Sequence, residues 1–144
     1  MSKLIFINLP VADLPRATAF YESLGAVKNP QFSDATASCM VFSETIHAML
    51  LTHEKFRQFT PKAIADARST TEVLICISAE SRAAVDDIVG KAARGGKVDP
   101  CPVQDHGFMY GRSLEDPDGH IWEVMWMDVE AAKVAMAACE TVAA

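Results

Sequence analysis

Glu123 is the side chain best placed for chemistry in this sequence, because it stands alone among large apolar residues. The segment Ile121-Trp122-Glu123-Val124-Met125-Trp126 alternates as a strand does, which puts Glu123 on one face with Ile121 and Met125. A carboxylate in such surroundings costs several kcal/mol unless it is paired, hydrogen-bonded or bound to a metal. Glu123 is therefore either a catalytic and metal-binding residue or the buried partner of an arginine.

Two histidines, His47 and His53, could complete a metal site around Glu123. Two imidazoles and one carboxylate form a 2-His-1-carboxylate set if the fold brings them within ~2.0 to 2.2 Å of one ion. The competing interpretation is that His47 is a hydrogen-bonded packing residue of a half-buried strand and that His53 begins a connector. The spacing of these residues leaves both interpretations open.

The segment from Asp105 to Arg112 supplies a second group of candidate residues. Its glycines flank Phe108, Met109 and Tyr110, so an aromatic loop containing Tyr110 could close the mouth of a cavity. Arg112 could pair with Glu123 across adjacent antiparallel strands, or it could bind a carboxylate of a ligand. Tyr110 and Arg112 are therefore candidate ligand-binding residues.

The composition predicts one domain and excludes two classes of partner. The chain has 144 residues, of which 50% are apolar, and its net charge of -6 would repel a phosphate backbone. The longest uninterrupted apolar run, Val134 to Cys139, has six residues, whereas a membrane span needs about 20. We therefore expect neither nucleic acid nor a membrane as a partner, and a cytoplasmic location.

The four cysteines give no redox or zinc motif. No two of them lie closer than 25 residues in the sequence, which excludes a Cys-x-x-Cys pair. Cys39 and Cys76 lie in apolar runs and are predicted to be buried thiols.

The elements that must position these residues occur in the same order in both halves of the chain. In the first half the pattern predicts a strand at 4–11, a helix at 14–24 and extended segments at 26–33, 37–42 and 46–52. A connector with a weakly helical stretch at 62–68 follows, and the second half then predicts a strand at 73–77, a helix at 81–94, strands at 97–103, 108–114 and 120–127, and a final helix at 129–139 capped by Asp128.

The fold class is therefore α+β, with two tandem βαβββ units forming a curved mixed sheet around a cavity, helices on its convex side and a C-terminal helix. We place these in a single domain, 1–144, with a first unit at 3–53, a connector at 54–70, a second unit at 71–127 and the C-terminal helix and tail at 128–144.

Two motifs at opposite ends of the chain resemble the vicinal oxygen chelate superfamily, which includes glyoxalase I, bleomycin-resistance proteins and extradiol dioxygenases. Val11-Ala12-Asp13-Leu14, followed by Ala19-Phe20-Tyr21 and Leu24-Gly25, is similar to the first strand-to-helix signature of that superfamily. Asp116-Pro117-Asp118-Gly119-His120, followed by Glu123, is similar to its closing motif. The resemblance covers about residues 3 to 127 and is more specific for fold than for function.

The resemblance implies four cavity-facing metal ligands, one on the first and one on the last strand of each unit. By position these fall on Phe6, near Met49, near Leu74 and on Glu123, and only Glu123 can bind a divalent ion. We therefore expect a small-molecule binder without a cofactor, whose ligand contacts the set Phe6, Asn8, His47, Met49, Leu74, Tyr110 and Arg112.

Two enzymatic alternatives remain open. In the first, a divalent metal is bound and Glu123 is both ligand and proton-transfer base, as in a lactoylglutathione lyase type of enzyme or a dioxygenase. In the second, Glu123 acts as a base without a metal.

The resemblance also implies a homodimer, because members of the superfamily often complete their cavities between protomers. Val134 and Met136 give the last helix apolar side chains that could pack on a partner. The alternative is that this helix covers the sheet of its own chain.

Overall fold

Both predicted units are present, each with a strand, a helix and further strands. The computed structural model describes residues 2–143, and the side chains of residues 2–139. The first unit contains β1 (Ile5–Val11), α1 (Leu14–Ser23), β2 (Val27–Asn29), β3 (Ala37–Val41) and β4 (Ile46–Thr52). A short helix, α2 (His53–Arg57), opens the connector. The second unit contains β5 (Ile75–Ser78), α3 (Arg82–Lys91), β6 (Lys97–Val98), β7 (Gln104–Asp105), β8 (Met109–Glu115) and β9 (Ile121–Met127), and α4 (Val129–Ala143) follows it.

The strands of the two units form two mixed sheets. The first sheet has the order β1-β4-β3-β2, with β1 parallel to β4 and the other pairs antiparallel. The second has the order β5-β9-β8-β6, with β7 also on β8, and β5 is parallel to β9. The predicted α+β fold class with two βαβββ-like units is therefore confirmed, and its strands are divided between two sheets.

Strand alternation directs one face of each sheet to the helices. In β1 the side chains of Leu9 and Val11 are buried, whereas Phe6 and Asn8 on the opposite face are exposed. The helix α1 starts where Asp13 accepts a hydrogen bond from the Arg16 amide, 3.0 Å away, and its buried side includes Tyr21.

One hydrophobic core serves both units. It contains buried side chains of β1, β4 and α1 from the first unit, such as Leu50 and Tyr21, together with Val89, Trp122 and Val124 from the second. The aromatic rings of Tyr21 and Trp122 lie 5.9 Å apart across the junction. The helix-facing sides of the two sheets thus contribute to one core that both units share.

Several predicted elements differ from those observed. The extended segment predicted at 26–33 ends as β2 at Asn29, because Pro30 starts a 3-10 turn whose Gln31 amide is capped by the Asn29 side chain. The helical stretch predicted at 62–68 is not helical, and the helix of the connector is instead α2. The strand predicted at 97–103 is interrupted after β6 because Asp99 adopts a φ of 52°.

The last helix is capped as predicted but leaves much of its apolar surface open. The Asp128 side chain accepts a hydrogen bond from the Ala131 amide at 3.1 Å. Ala132 is buried, whereas Val134 is 72% exposed and Met136 is 65% exposed, so these two side chains do not cover the sheets of their own chain. Among the described residues, no helix has the length and apolarity needed to cross a membrane.

Candidate functional site

The open face of the first sheet collects four of the predicted ligand-binding residues. Phe6 pairs with His47 in the β1–β4 register, and Asn8 pairs with Met49. The rings of Phe6 and His47 are stacked with their centroids 4.5 Å apart, and His47 Nδ1 donates to the Ile5 carbonyl at 3.3 Å. His47 therefore has the packing and hydrogen-bonding contacts that the competing interpretation describes.

Glu123 lies on the open face of the second sheet, between Cys76 on β5 and Ser113 on β8. Its carboxylate forms no hydrogen bond or ion pair with the residues described by the structure. Cys76 was predicted to be buried and is exposed, because it belongs to the uncovered face of an edge strand. Partial burial raises the pKa of the Cys76 thiol, and the nearby Glu123 charge raises it further, so the thiol stays protonated at neutral pH.

Of the two alternatives for Arg112, the pairing with Glu123 is wrong. Arg112 and Ser113 are consecutive in β8, so their side chains point to opposite faces, and Ser113 is the residue beside Glu123. The guanidinium of Arg112 instead donates to Asp86 at 2.8 Å and to Asp99 at 2.7 Å. These hydrogen bonds raise the pKa of Arg112 above its usual value, and the bond to Asp99 has the larger effect.

Tyr110 shares the helix-facing side of β8 with Arg112. Its hydroxyl donates to Asp86 at 2.6 Å, which raises the pKa of the Tyr110 phenol. The structure therefore separates Tyr110 and Arg112 from the open face that carries Glu123.

A cavity of about 310 Å³ lies where the two units meet, and we call it the junction cavity. One wall is the end of β1 from Asn8 to Pro10, another is the start of β9 at Ile121, and the connector from Thr60 to Val73 covers them. Lys62 and Glu72 add exposed charges of both signs to an otherwise largely apolar lining.

Asn8 also borders a second, larger cavity on the open face of the first sheet. This sheet-face cavity has a volume of about 510 Å³ and includes Met49, Lys55 and Phe59. Asn8 thus lies between two adjoining spaces, one over the first sheet and one between the units.

The turn between β8 and β9 fixes the walls of the junction cavity relative to each other. Asp118 accepts a hydrogen bond from the Ala12 amide at 2.8 Å, and His120 Nε2 donates to the Pro10 carbonyl at 2.8 Å. Both bonds join this turn to the end of β1. His120 therefore ties the turn to the first unit.

The connector is seated on the same turn through Gly119. This residue has a φ of +99°, and a Cβ atom there would come within 2.8 Å of the backbone of Ala67 and Arg68. Only glycine avoids both the strained backbone and that clash. Arg68 Nη2 adds a hydrogen bond to the Pro117 carbonyl at 2.9 Å, so two contacts hold the cover of the junction cavity on this turn.

Known structures with this architecture show which fold the chain has. No family model and no curated protein matches the sequence. Among solved structures, the chain is similar to a hypothetical protein of S. aureus, with 24% identity, a TM-score of 0.71 and coverage of 88% of this chain and 94% of that one. It is also similar to a glyoxalase/bleomycin resistance protein/dioxygenase family enzyme of Burkholderia phytofirmans, with 17% identity, a TM-score of 0.69 and coverage of 88% and 99%. The fosfomycin resistance protein FosX of Listeria monocytogenes matches with 20% identity, a TM-score of 0.64 and coverage of 90% and 97%.

The chain has the vicinal oxygen chelate fold. The resemblance predicted from its two terminal motifs is thus confirmed at the level of the fold, over most of the chain. Identities of this size establish the architecture and leave the activity open.

The residues of this chain do not fit the metal site expected of the vicinal oxygen chelate fold. Phe6, Met49 and Leu74 offer no hard or borderline donor, and Glu123 alone cannot hold a divalent ion. Across the described residues, no three His, Cys, Asp or Glu side chains form a group that could bind a metal. His47, His53 and Glu123 are therefore not gathered into one site.

Neither helix α2 nor the position of the connector over the junction cavity was predicted from the sequence. Helix α2 had a detectable signal, since Thr52 accepts a hydrogen bond from the Lys55 amide and Glu54 lies in the first turn. The stretch Ala63-Ile64-Ala65-Asp66-Ala67 covers the junction cavity without a helical or strand period, so no pattern could have indicated its position.

Proposed function

We propose that this protein binds a small organic molecule in the junction cavity and does so without a metal ion. The observation that supports this most strongly is the formed, largely apolar junction cavity. The absence of a metal is supported by Phe6, Met49 and Leu74, which stand where the resemblance implies metal ligands. Ligand sites in proteins are concave and largely apolar, with a few polar groups that orient the ligand. The junction cavity has this character, with Asn8 as a polar group whose side chain has no hydrogen-bond partner among the described residues.

The charges at the edge of the cavity suggest the kind of ligand. Lys62 and Glu72 are both exposed and lie among the cavity residues, so a ligand with one or two polar groups on an apolar body matches the lining. A ligand of this kind would place its apolar part against Pro10 and Ile121.

Saturation-transfer-difference NMR with a panel of small aromatic amides and carboxylates tests the binding site. We expect binding by the wild type and its loss in Asn8→Trp, because a bulky side chain at Asn8 blocks both adjoining cavities. Val27→Trp is the matched control, since Val27 is an exposed strand residue of the same sheet and borders neither cavity. Equal binding by the two variants would contradict the proposal.

The enzymatic alternative is a metal-dependent glyoxalase-like lyase or a dioxygenase with Glu123 as ligand and base. It is favoured by one observation, that the Glu123 carboxylate has no partner among the described residues. Elemental analysis with titration of Ni²⁺, Zn²⁺, Mn²⁺ and Fe²⁺ into wild type and Glu123→Gln decides between the two functions. Stoichiometric metal that is lost in Glu123→Gln would replace the metal-free binder by the enzyme.

We also propose that the protein is a homodimer. Three consecutive residues at the start of the chain, Leu4, Ile5 and Phe6, are each more than half exposed, and so are Val134 and Met136 on α4. Apolar surfaces of this kind on a folded chain commonly mark protein interfaces.

A further inference from the structure

A third cavity lies on the helix-facing side of the two sheets, in the seam between the two units. Its volume is about 290 Å³. We call it the seam cavity, and its apolar lining includes Leu24, Phe42 and Ile46 from the first unit and Ile77, Leu114 and Trp122 from the second. Trp122 and Glu123 are consecutive in β9, so the seam cavity and the open face that carries Glu123 are separated by the second sheet.

None of the described residues that line the seam cavity has a charged side chain. Among the described lining residues, the Ser43 side chain is exposed and its hydroxyl accepts hydrogen bonds from the Thr45 and Ile46 amides, whereas the Ser78 side chain shares the open face with Cys76. The Trp122 indole N–H donates to the Tyr21 hydroxyl at 2.9 Å, so Trp122 has no donor left for a ligand. A charged or strongly hydrated molecule would therefore lose its water shell without compensation.

Two aromatic rings shape one end of the seam cavity. The rings of Phe42 and Trp122 lie 5.1 Å apart and are inclined at 37° to each other. Aromatic rings prefer offset or tilted contact with a further ring, and such contacts add stabilisation beyond the apolar area that they bury.

The seam cavity is a pocket that opens to solvent, since its lining residues Ser43 and Ser78 are exposed. A dry apolar cavity of about 150 Å³ already binds benzene, and ligand sites start at about 300 Å³. The seam cavity thus has room for a molecule of one or two rings.

We propose that the seam cavity is a second small-molecule site, specific for an uncharged, flat, apolar molecule. A molecule bound there contacts both units, through Phe42 and Ile46 on one side and Ile77 and Trp122 on the other. It binds the folded chain and not the unfolded one, so it raises the unfolding temperature.

Ligand-observed ¹⁹F NMR with 1,4-difluorobenzene tests this site, with 4-fluorobenzoate as the charged analogue. We expect saturable broadening of the 1,4-difluorobenzene signal, a chemical-shift change of the Trp122 indole N–H, and no binding of 4-fluorobenzoate. The absence of saturable 1,4-difluorobenzene binding, or equal binding of the benzoate, would overturn the proposal.

Variants locate the binding in the seam cavity. Ile88→Phe fills the cavity from α3, and Ile46→Trp fills it from β4, where Ile46 shares the helix-facing side with Ala48 and Leu50, so each is expected to abolish binding of 1,4-difluorobenzene. If Ile88→Phe does not fold, Ile46→Trp still provides the test, because Ile46 is only partly buried at the start of β4. Ala93→Trp, at an exposed position outside both cavities, and Asn8→Trp, in the junction cavity, are expected to bind as the wild type does. Loss of binding in Asn8→Trp with retention in Ile46→Trp would assign the probe to the junction cavity and refute a seam site.

Discussion

Tyr21 places its hydroxyl between two buried polar groups of the second unit. It donates to Asp116 at 2.6 Å and accepts from the Trp122 indole at 2.9 Å. Burial raises the pKa of Tyr21 and the Asp116 charge raises it further, so the hydroxyl remains protonated and able to donate over the whole neutral range. In Tyr21→Phe both partners lose a hydrogen bond inside the core, and we expect a loss of about 1 to 3 kcal/mol in the free energy of unfolding.

Urea unfolding at neutral pH measures this loss. Tyr110→Phe is the matched control, because its hydroxyl donates to the exposed Asp86, which water can solvate once the hydroxyl is removed. An equal loss in the two variants would show that the hydroxyl of Tyr21 has no special role at the junction.

At the scale of the elements, Arg82 ties α3 to the edge of the second sheet. Its guanidinium donates to both oxygens of Asp105 on β7, at 3.0 and 2.7 Å, and lies 4.8 Å from the centre of the Tyr110 ring. The hydrogen bond from Arg82 lowers the pKa of Asp105 to about 2. A carboxyl with a lowered pKa in the folded state stabilises the fold above its unfolded pKa of 3.8, and this contribution is lost as the pH falls towards 2.

We therefore expect the free energy of unfolding of Asp105→Asn to fall less than that of the wild type between about pH 4 and pH 2. Urea midpoints across that range measure this difference. Asp116 has the opposite sign, because burial raises its pKa and the penalty for its charge disappears on acidification, so wild type and variant must be compared at each pH. Arg82→Gln removes the same Arg82–Asp105 ion pair by replacing the arginine. The double variant should therefore show no further change in this pH dependence. An additive effect in the double variant would disprove the assignment to this pair.

Elements with local signals were predicted well from the sequence, and contacts set by the tertiary structure were not. The alternation in β1 and β9 and the Asp13 and Asp128 caps depend on neighbours a few residues away. The partners of Arg112 were missed because Asp86 is 26 residues away, on another element. For the candidate site, the face that Glu123 occupies followed from alternation, whereas the cavity beside β1 depends on a connector without a period.

At the scale of the whole molecule, the proposed homodimer predicts a sedimentation mass of twice the 15.6 kDa chain. Replacing Val134 and Met136 together by glutamate should shift the mass to that of one chain, because two charges would be desolvated in an apolar contact. Ala93→Glu, at an exposed position outside α4, should leave the mass unchanged. A wild-type mass near that of one chain at micromolar concentration would rule out a stable dimer.

The turn between β8 and β9 also determines how late in its synthesis the protein can finish folding. Ala12 leaves the ribosome 106 residues before Asp118, the partner of its amide, and Tyr21 leaves it 95 residues before Asp116. Until then the first unit carries an apolar face around Phe42 whose natural cover, Trp122, has not been made. Surfaces of this kind cause aggregation of nascent chains, so the time spent translating the second half is the period in which this protein most depends on chaperones.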